Sequence, residues 1–188
     1  VPPPDPLPFE DCWPEALSLF TGGYSFQMDA VEAALGATRG VIKIPTGGGK
    51  TEVAMGLIAR CGQPALFLSH KADLVVQTAK RYELRLGEQA GVIGSGKGFR
   101  PNPTGLTCAT FQSLWKRRRD ANLKAYLATV GLLLVDEVHV AGANTFTKVT
   151  RMVPAYWRFG LSATPVGRHD ASNMLVVAAS GSIVYRVT

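Results

Sequence analysis

Short apolar runs alternate with longer amphipathic stretches along most of this 188-residue chain. Val41–Ile44, Ala65–Ser69, Gly91–Ile93, Leu106–Ala109, Gly131–Val135, Arg158–Leu161 and Ile183–Val187 read as strands, each a brief apolar run between turn signals. Helical spacing fills Lys50–Cys61, Ala72–Leu86 and Phe111–Lys116, with further pieces at Ala121–Thr129 and Ala143–Met152. Upstream, Phe26, Ala30, Val31, Ala34 and Leu35 form an apolar stripe over Ser25–Leu35 that Gly36 is placed to close. Strands alternating with helices predict an α/β fold, a mostly parallel sheet with helices on both faces. In such a sheet the ligand site lies beyond the carboxyl ends of the strands. Gly94–Gly105, with four glycines and two prolines, reads as the one long loop. No repeat is present. The pattern divides the chain into a proline-rich lead-in, residues 1–24, and one α/β domain, residues 25–188.

Composition narrows the class only a little. A hydrophobic content of 46% excludes a disordered tail. The net charge of +6 and a pI near 9.4 favour an anionic partner. Cys12, Cys61 and Cys108 are scattered and odd in number, so reduced thiols are expected rather than a disulfide framework or a zinc site. No apolar run reaches the ~18 residues that would span a bilayer, so no membrane partner is expected. The opening Val1-Pro2-Pro3-Pro4-Asp5-Pro6-Leu7-Pro8 is unlike a signal peptide. A cytoplasmic location is the expectation, in the host cell if the source is a phage.

The chemistry begins at Ile44-Pro45-Thr46-Gly47-Gly48-Gly49-Lys50-Thr51. A strand, a glycine-rich loop and a helix follow one another there, which is the context a phosphate cradle requires. Thr46, Gly47, Gly48 and Gly49 would wrap phosphate with backbone N–H groups, Lys50 would reach the β and γ phosphates of a nucleotide, and the Thr51 hydroxyl would help to hold Mg²⁺. The strict pattern asks for glycine where this chain has Ile44. Read without its context, Lys-Thr after glycines is also an ordinary helix start.

A second signal is Leu132-Leu133-Leu134-Val135-Asp136-Glu137-Val138-His139, a buried strand ending in two carboxylates. Burial of such a pair is costly without a partner. Beside a phosphate loop the pair has a use: Asp136 would hold Mg²⁺ and Glu137 would orient and deprotonate the attacking water. Taken alone, it is also a strand followed by a solvated acidic turn.

At these residues the chain resembles the amino-terminal RecA-like motor domain of superfamily 2 helicases and translocases, over Ser25 to the end. Pro45–Thr51 is similar to motif I, in a family that tolerates the missing first glycine. Asp136-Glu137-Val138-His139 is similar to motif II in its DExH form, and Leu161-Ser162-Ala163-Thr164-Pro165 to motif III. The resemblance implies a P-loop NTPase fold, with catalysis by Lys50, Asp136 and Glu137 and metal binding by Thr51 and Asp136. It assigns His139, Ser162 and Thr164 to coupling between nucleotide and nucleic acid. Tyr24-Ser25-Phe26-Gln27 resembles the adenine-recognising segment, in which Gln27 would bond the adenine edge. Ser69-His70-Lys71 resembles motif Ia, and Thr107–Leu114 the family's T-x-x-T-x-Q-S-L stretch. Together these imply nucleic-acid contacts from Ser69, His70, Lys71, Thr110, Gln112 and Ser113. Such hydroxyl and backbone groups suit a partner read by its phosphates.

Gly91–Gly98 imitates a second phosphate loop, but no good helix follows it. It is similar instead to the glycine-lysine segment of translocases acting on duplex DNA, which makes Lys97 and Arg100 phosphate-contact candidates. Lys116-Arg117-Arg118-Arg119, the densest basic run, reads either as a solvated helix face or as part of the nucleic-acid track.

The resemblance implies ATP hydrolysis between two RecA-like domains, the second supplying arginine fingers; no Q-x-x-G-R-x-x-R segment is present in this chain. The expectation is therefore the ATP- and nucleic-acid-binding half of a DNA helicase or translocase, weakly active alone. DNA is favoured over RNA by the Gly94–Gly98 and Phe159–Asp170 stretches. The alternatives are an RNA helicase half and a nucleic-acid-binding module without a working motor. A small-substrate P-loop kinase would leave the Ser162–Thr164 and Thr110–Ser113 stretches unexplained.

Overall fold

The architecture follows from the burial demanded by the apolar runs. A computed structural model describes residues 5–8, 25–94, 96, 98–136, 143–163 and 181–187. In chain order the elements are α1 (Phe26–Ala37), β1 (Arg39–Lys43), α2 (Lys50–Cys61), β2 (Ala65–Ser69), α3 (Ala72–Leu86), β3 (Gly91–Ile93), β4 (Phe99–Arg100), β5 (Leu106–Thr110), α4 (Phe111–Lys116), α5 (Ala121–Thr129), β6 (Leu132–Asp136), α6 (Ala143–Arg151), β7 (Trp157–Ser162) and β8 (Ile183–Arg186). They build one sheet in the order β4-β3-β5-β2-β6-β7-β1-β8. All neighbouring strands are parallel except β3 and β4.

Strands β2, β5 and β6 are buried at every residue. Continuous apolar runs, rather than alternating ones, are what a parallel sheet covered on both faces demands. The two faces divide β6 residue by residue. Leu132 and Leu134 join Ala30, Val31, Met55, Leu57 and Val75 under α1, α2 and α3. Leu133 and Val135 join Phe111, Leu123, Leu127 and Phe146 under α4, α5 and α6. Cys61 and Cys108 are buried thiols on the first of these faces. Desolvation pushes Cys61 up to about 12 and Cys108 higher still, so both pack as neutral, hydrophobic side chains. Among the described residues no helix is long and apolar enough to cross a membrane.

Register decides where the chemistry falls. Asp136 at the end of β6 pairs with Leu161 of β7, and Ser162 beside it pairs with Lys43 at the end of β1. On the other side of β6, Ser69 of β2 pairs with Thr110 of β5. Parallel strands point their carboxyl ends the same way, so these residues share one edge of the sheet.

Several bounds differ from the sequence pattern: β1 is Arg39–Lys43 rather than Val41–Ile44, β6 is Leu132–Asp136 rather than Gly131–Val135, and β5, β8 and α6 each end one residue away from the expected position. Helix α1 runs through Gly36 to Ala37 and closes at Thr38, whose φ of 61° lies in the left-handed region and whose N–H bonds Ala34 O at 3.0 Å. Because β1 begins at Arg39, the reversal has to fall on the residue immediately before it, and a glycine two positions earlier cannot serve. The long loop Gly94–Gly105 contains β4, which folds back antiparallel on β3 and pairs Ile93 with Phe99 and Val92 with Arg100. Two residues are too few to leave a periodic signal. β7 also extends one residue beyond its apolar run at each end, from Trp157 to Ser162. Of the proline-rich lead-in, residues 5–8 are described, and Leu7 N–H bonds Arg60 O at the end of α2.

Arg158 fixes α6 against the sheet. Its guanidinium donates to Ala155 O and Thr150 O at 3.1 Å each and to Val153 O, carbonyls at and just beyond the end of α6, where Thr150 O also accepts from Val153 N–H at 3.3 Å. Arg158→Met keeps the bulk and removes the donors. Urea titration is expected to show unfolding free energy lower by about 2 kcal/mol, the scale of bonds from a charged donor, with an unchanged m-value. An unmoved midpoint would mean that α6 is held by packing alone.

Candidate functional site

The glycine loop leaves β1 under tight control. Ile44 N–H still bonds Ser162 O of β7 at 3.0 Å, although β1 itself has ended. The Ile44 side chain is fully buried, and its Cγ2 would lie 2.6 Å from a Cβ added at Gly48. Ile44 thus forms a hydrocarbon floor beneath Gly48, which accounts for both residues at once. Gly48 N–H then bonds Pro45 O at 3.0 Å and closes the turn.

Gly49 is required twice over. Its φ of 83° is left-handed, and an added Cβ would sit 2.1 Å from Gln27 Nε2. That amide donates to Gly48 O at 3.0 Å, and Gln27 is buried to 3% exposure. Gln27, expected from the resemblance at the adenine edge, has in this structure its amide nitrogen committed to the loop backbone. Thr46 and Gly47 form the exposed tip of the turn.

Helix α2 starts at Lys50 with no side-chain cap, because its N-cap is Gly49. The positive end of its dipole therefore meets the loop without a side-chain cap, an arrangement that suits a polyphosphate. Thr51 and Asp136 line one cavity of about 400 Å³ together with Gln77, Thr78, Lys80 and Arg81. Asp136 is 8% exposed at the end of β6. A hydroxyl and a carboxylate lining the same cavity are hard oxygen donors of the kind Mg²⁺ takes, so these residue types fit that ion.

A feature that the sequence did not signal lies next to them. Glu52 accepts from Arg85 Nε at 3.0 Å and Arg85 Nη2 at 3.3 Å, and forms an ion pair with Arg81 at 3.0 Å. The carboxylate is 13% exposed, so this contact of α2 with α3 is partly shielded from solvent screening. Glu and Arg at such sequence separations have no local periodicity to reveal them.

The other half of the edge holds the motif Ia and T-x-x-T-x-Q-S-L residues. Ser69 is fully buried, and its hydroxyl accepts from Lys71 N–H at 3.3 Å, shaping the turn that exposes Lys71. Thr110 caps α4 by accepting from Ser113 N–H at 3.1 Å, and its hydroxyl lies 2.8 Å from that of Ser113. Gln112 is exposed beside them, and Arg100 is exposed on β4. His70 stacks on Phe111 at 4.8 Å, and Phe111 lies 5.6 Å from Phe146 of α6. Desolvation lowers the His70 pKa below its ordinary 6.5. The fold therefore prefers neutral imidazole: this contribution is present above that ordinary value and is lost as pH falls through the lowered one. Ser162 is buried at the end of β7. Glu137, His139, Thr164 and Lys97 lie outside the described residues.

This edge has counterparts in known proteins. The family model described as type III restriction enzyme, res subunit, matches residues 22–167. The chain belongs to the superfamily 2 helicases. It forms their amino-terminal RecA-like domain. Among relatives, it is 32% identical over 86% of its length to the DNA 3'-5' translocase XPB2 of Sulfurisphaera tokodaii, and 30% identical over 80% to the DNA 3'-5' helicase XPB of Kineococcus radiotolerans. It spans only 35% and 28% of those two proteins. Among solved structures, the UvsW helicase of bacteriophage T4 superposes with a TM-score of 0.71 at 22% identity, over 85% of this chain and 58% of that one. The Hef helicase domain of Pyrococcus furiosus gives 0.68 at 21% identity, over 90% and 38%. At these identities the two structures speak for the fold of the helicase domain. The family implies use of ATP.

Gly49→Ala tests the cradle. A left-handed alanine costs about 1–2 kcal/mol, and the new Cβ must also expel the Gln27 amide. Titration with a fluorescent ATP analogue is expected to show at least about a tenfold loss of affinity, the equivalent of 1.4 kcal/mol. Binding at unsubstituted strength would remove this loop as the nucleotide site.

Proposed function

We propose that this chain is the ATP- and nucleic-acid-binding half of an ATP-dependent DNA helicase or translocase, and that efficient turnover requires a second RecA-like domain. The observation behind this reading is the shared cavity of Thr51 and Asp136 beside the glycine loop. The same sheet edge continues through β2 and β5 to the Ser69–Lys71 and Thr110–Ser113 turns.

In this reading the backbone of Thr46–Gly49 and the first turn of α2 bind the phosphates, and Lys50 orients the β and γ groups. Thr51 and Asp136 hold Mg²⁺, which when bound offsets the charge on the phosphate oxygens. Glu137 follows Asp136 directly in the chain and takes the proton of the attacking water. Gln27 has its amide nitrogen on the loop and can offer its carbonyl oxygen to adenine, linking base recognition to loop geometry. His139, Ser162 and Thr164 couple the nucleotide site to the polymer. Lys71, Gln112, Arg100 and Lys97 contact the sugar-phosphate backbone, with His70, Ser69, Thr110 and Ser113 shaping or joining those contacts.

DNA rather than RNA is supported by the relatives, whose names specify DNA. A second motor half is supported by the chain's spanning about a third of their length. A cytoplasmic location, in the host cell if the source is a phage, belongs to the same proposal.

A steady-state ATPase measurement tests the reading. This chain alone is expected to turn over slowly, since an arginine finger contributes about 10³–10⁵ in rate. Vigorous turnover indifferent to DNA would sink the proposal. Lys50→Ala is expected to abolish nucleotide binding, whereas Glu137→Gln retains binding and loses hydrolysis in the complete motor. Equal loss of binding by both would contradict the division of roles.

A further inference from the structure

One stretch of chain is conspicuously one-signed in charge. Residues 89–119 hold Lys97, Arg100, Lys116, Arg117, Arg118 and Arg119, and no Asp or Glu. These are six of the 20 basic residues and none of the 14 acidic ones, so the rest of the chain carries 14 of each sign and is electrically balanced. Four of the six, Lys116 to Arg119, fall at and just after the end of α4, and Arg100 lies on β4 at one edge of the sheet.

The structure sorts the basic run that the sequence left ambiguous. Arg118 lies 4.5 Å over the Trp115 ring and donates to Trp115 O at 2.9 Å. Lys148 of α6 approaches the same ring at 5.6 Å, and Arg117 sits 5.7 Å over Phe99 of β4 while pairing with Asp120 at 3.7 Å. Two half-buried aromatic rings therefore fix three cations and bind the end of α4 to β4 on one side and α6 on the other. Lys116 and Arg119, between these props, are exposed, and among the described residues neither has an ion-pair partner. Exposed charge held on a rigid base loses less side-chain entropy on binding than charge on a mobile tail.

We infer that Lys116 and Arg119, with Lys148 on α6, continue outward from Arg100 on β4 as a second anchoring site for the phosphate backbone of DNA. It lies outside the Ser69–Lys71 and Thr110–Ser113 turns and continues outward from the latter, since Thr110–Ser113 opens α4 and Lys116 ends it. The inference rests on the nucleic-acid reading above. A polyanion fits better than a protein partner, because protein interfaces centre on apolar anchors. The exposed large hydrophobic residues among those described are Leu7, Leu84, Tyr156 and Ile183, none of them in this site. Sequence-independent phosphate binding needs only charge at fixed positions. The site holds the strand without reading it.

The test is a salt series of fluorescence anisotropy with duplex DNA, using the chain and its Lys116→Ala/Arg119→Ala variant. Each phosphate contact contributes about 0.9 to the slope of log affinity against log salt. The double variant is expected to lose about 1–2 from that slope and about tenfold in affinity at low salt. Its affinity for a fluorescent ATP analogue should be unchanged, which verifies folding, and Lys116→Arg/Arg119→Lys should bind DNA like the original. Unchanged DNA affinity and slope in the double variant would overturn the second site while leaving DNA binding intact. Failure of the unsubstituted chain to bind DNA at all would overturn the nucleic-acid reading with it. Tighter binding of polyglutamate than of DNA would overturn the identity of the partner.

Discussion

Parallel backbone pairing among β6, β7 and β1 is the constraint on which the candidate site depends. Asp136, Leu161, Ser162 and Lys43 are fixed in register by main-chain hydrogen bonds that no side chain can alter. The bond from Ile44 N–H to Ser162 O carries this ladder one residue beyond β1, so that the glycine loop springs from a fixed point. Slipping β6 by a residue would exchange its two faces and withdraw Asp136 from the cavity it shares with Thr51. The site is therefore a property of the sheet before it is a property of its side chains.

Much of this was legible in the sequence. The apolar runs at Ala65–Ser69 and Gly91–Ile93 became strands with those same bounds, as Lys50–Cys61 and Ala72–Leu86 became helices. Doubly buried parallel strands and capped amphipathic helices both leave strong local signals. β4 left none, since its two residues pair only because Gly91–Ile93 lies beside them. Gly36 misplaced the end of α1 because the stop is set by where β1 must begin, a matter of tertiary geometry.

The site was legible in its motifs and illegible in its supports. Residue types and spacing picked out Lys50, Thr51 and Asp136, since phosphate and cation chemistry restrict the choices severely. The Ile44 floor, the Gln27 amide and the clamp on Glu52 are set by tertiary contacts that leave no mark in the sequence. Each joins residues distant in sequence, or serves shape rather than reactivity. The basic run shows the same division. Four adjacent cations are obvious in the sequence, yet which are stacked on aromatic rings and which face outward is decided by Phe99 on β4 and by α6, from which Lys148 reaches the Trp115 ring.

Glu52 has a mechanical meaning as well as an electrostatic one. It stands directly after Thr51, and the arginines that grip it belong to α3, the helix that opens just after the Ser69–Lys71 turn. Fifteen residues make α3 about 22 Å long. A force applied at its leading end is thus delivered, through a stiff rod and two guanidinium groups, to the residue beside Thr51. The two helices are geared together, and neither loop can shift along its own axis without loading the other.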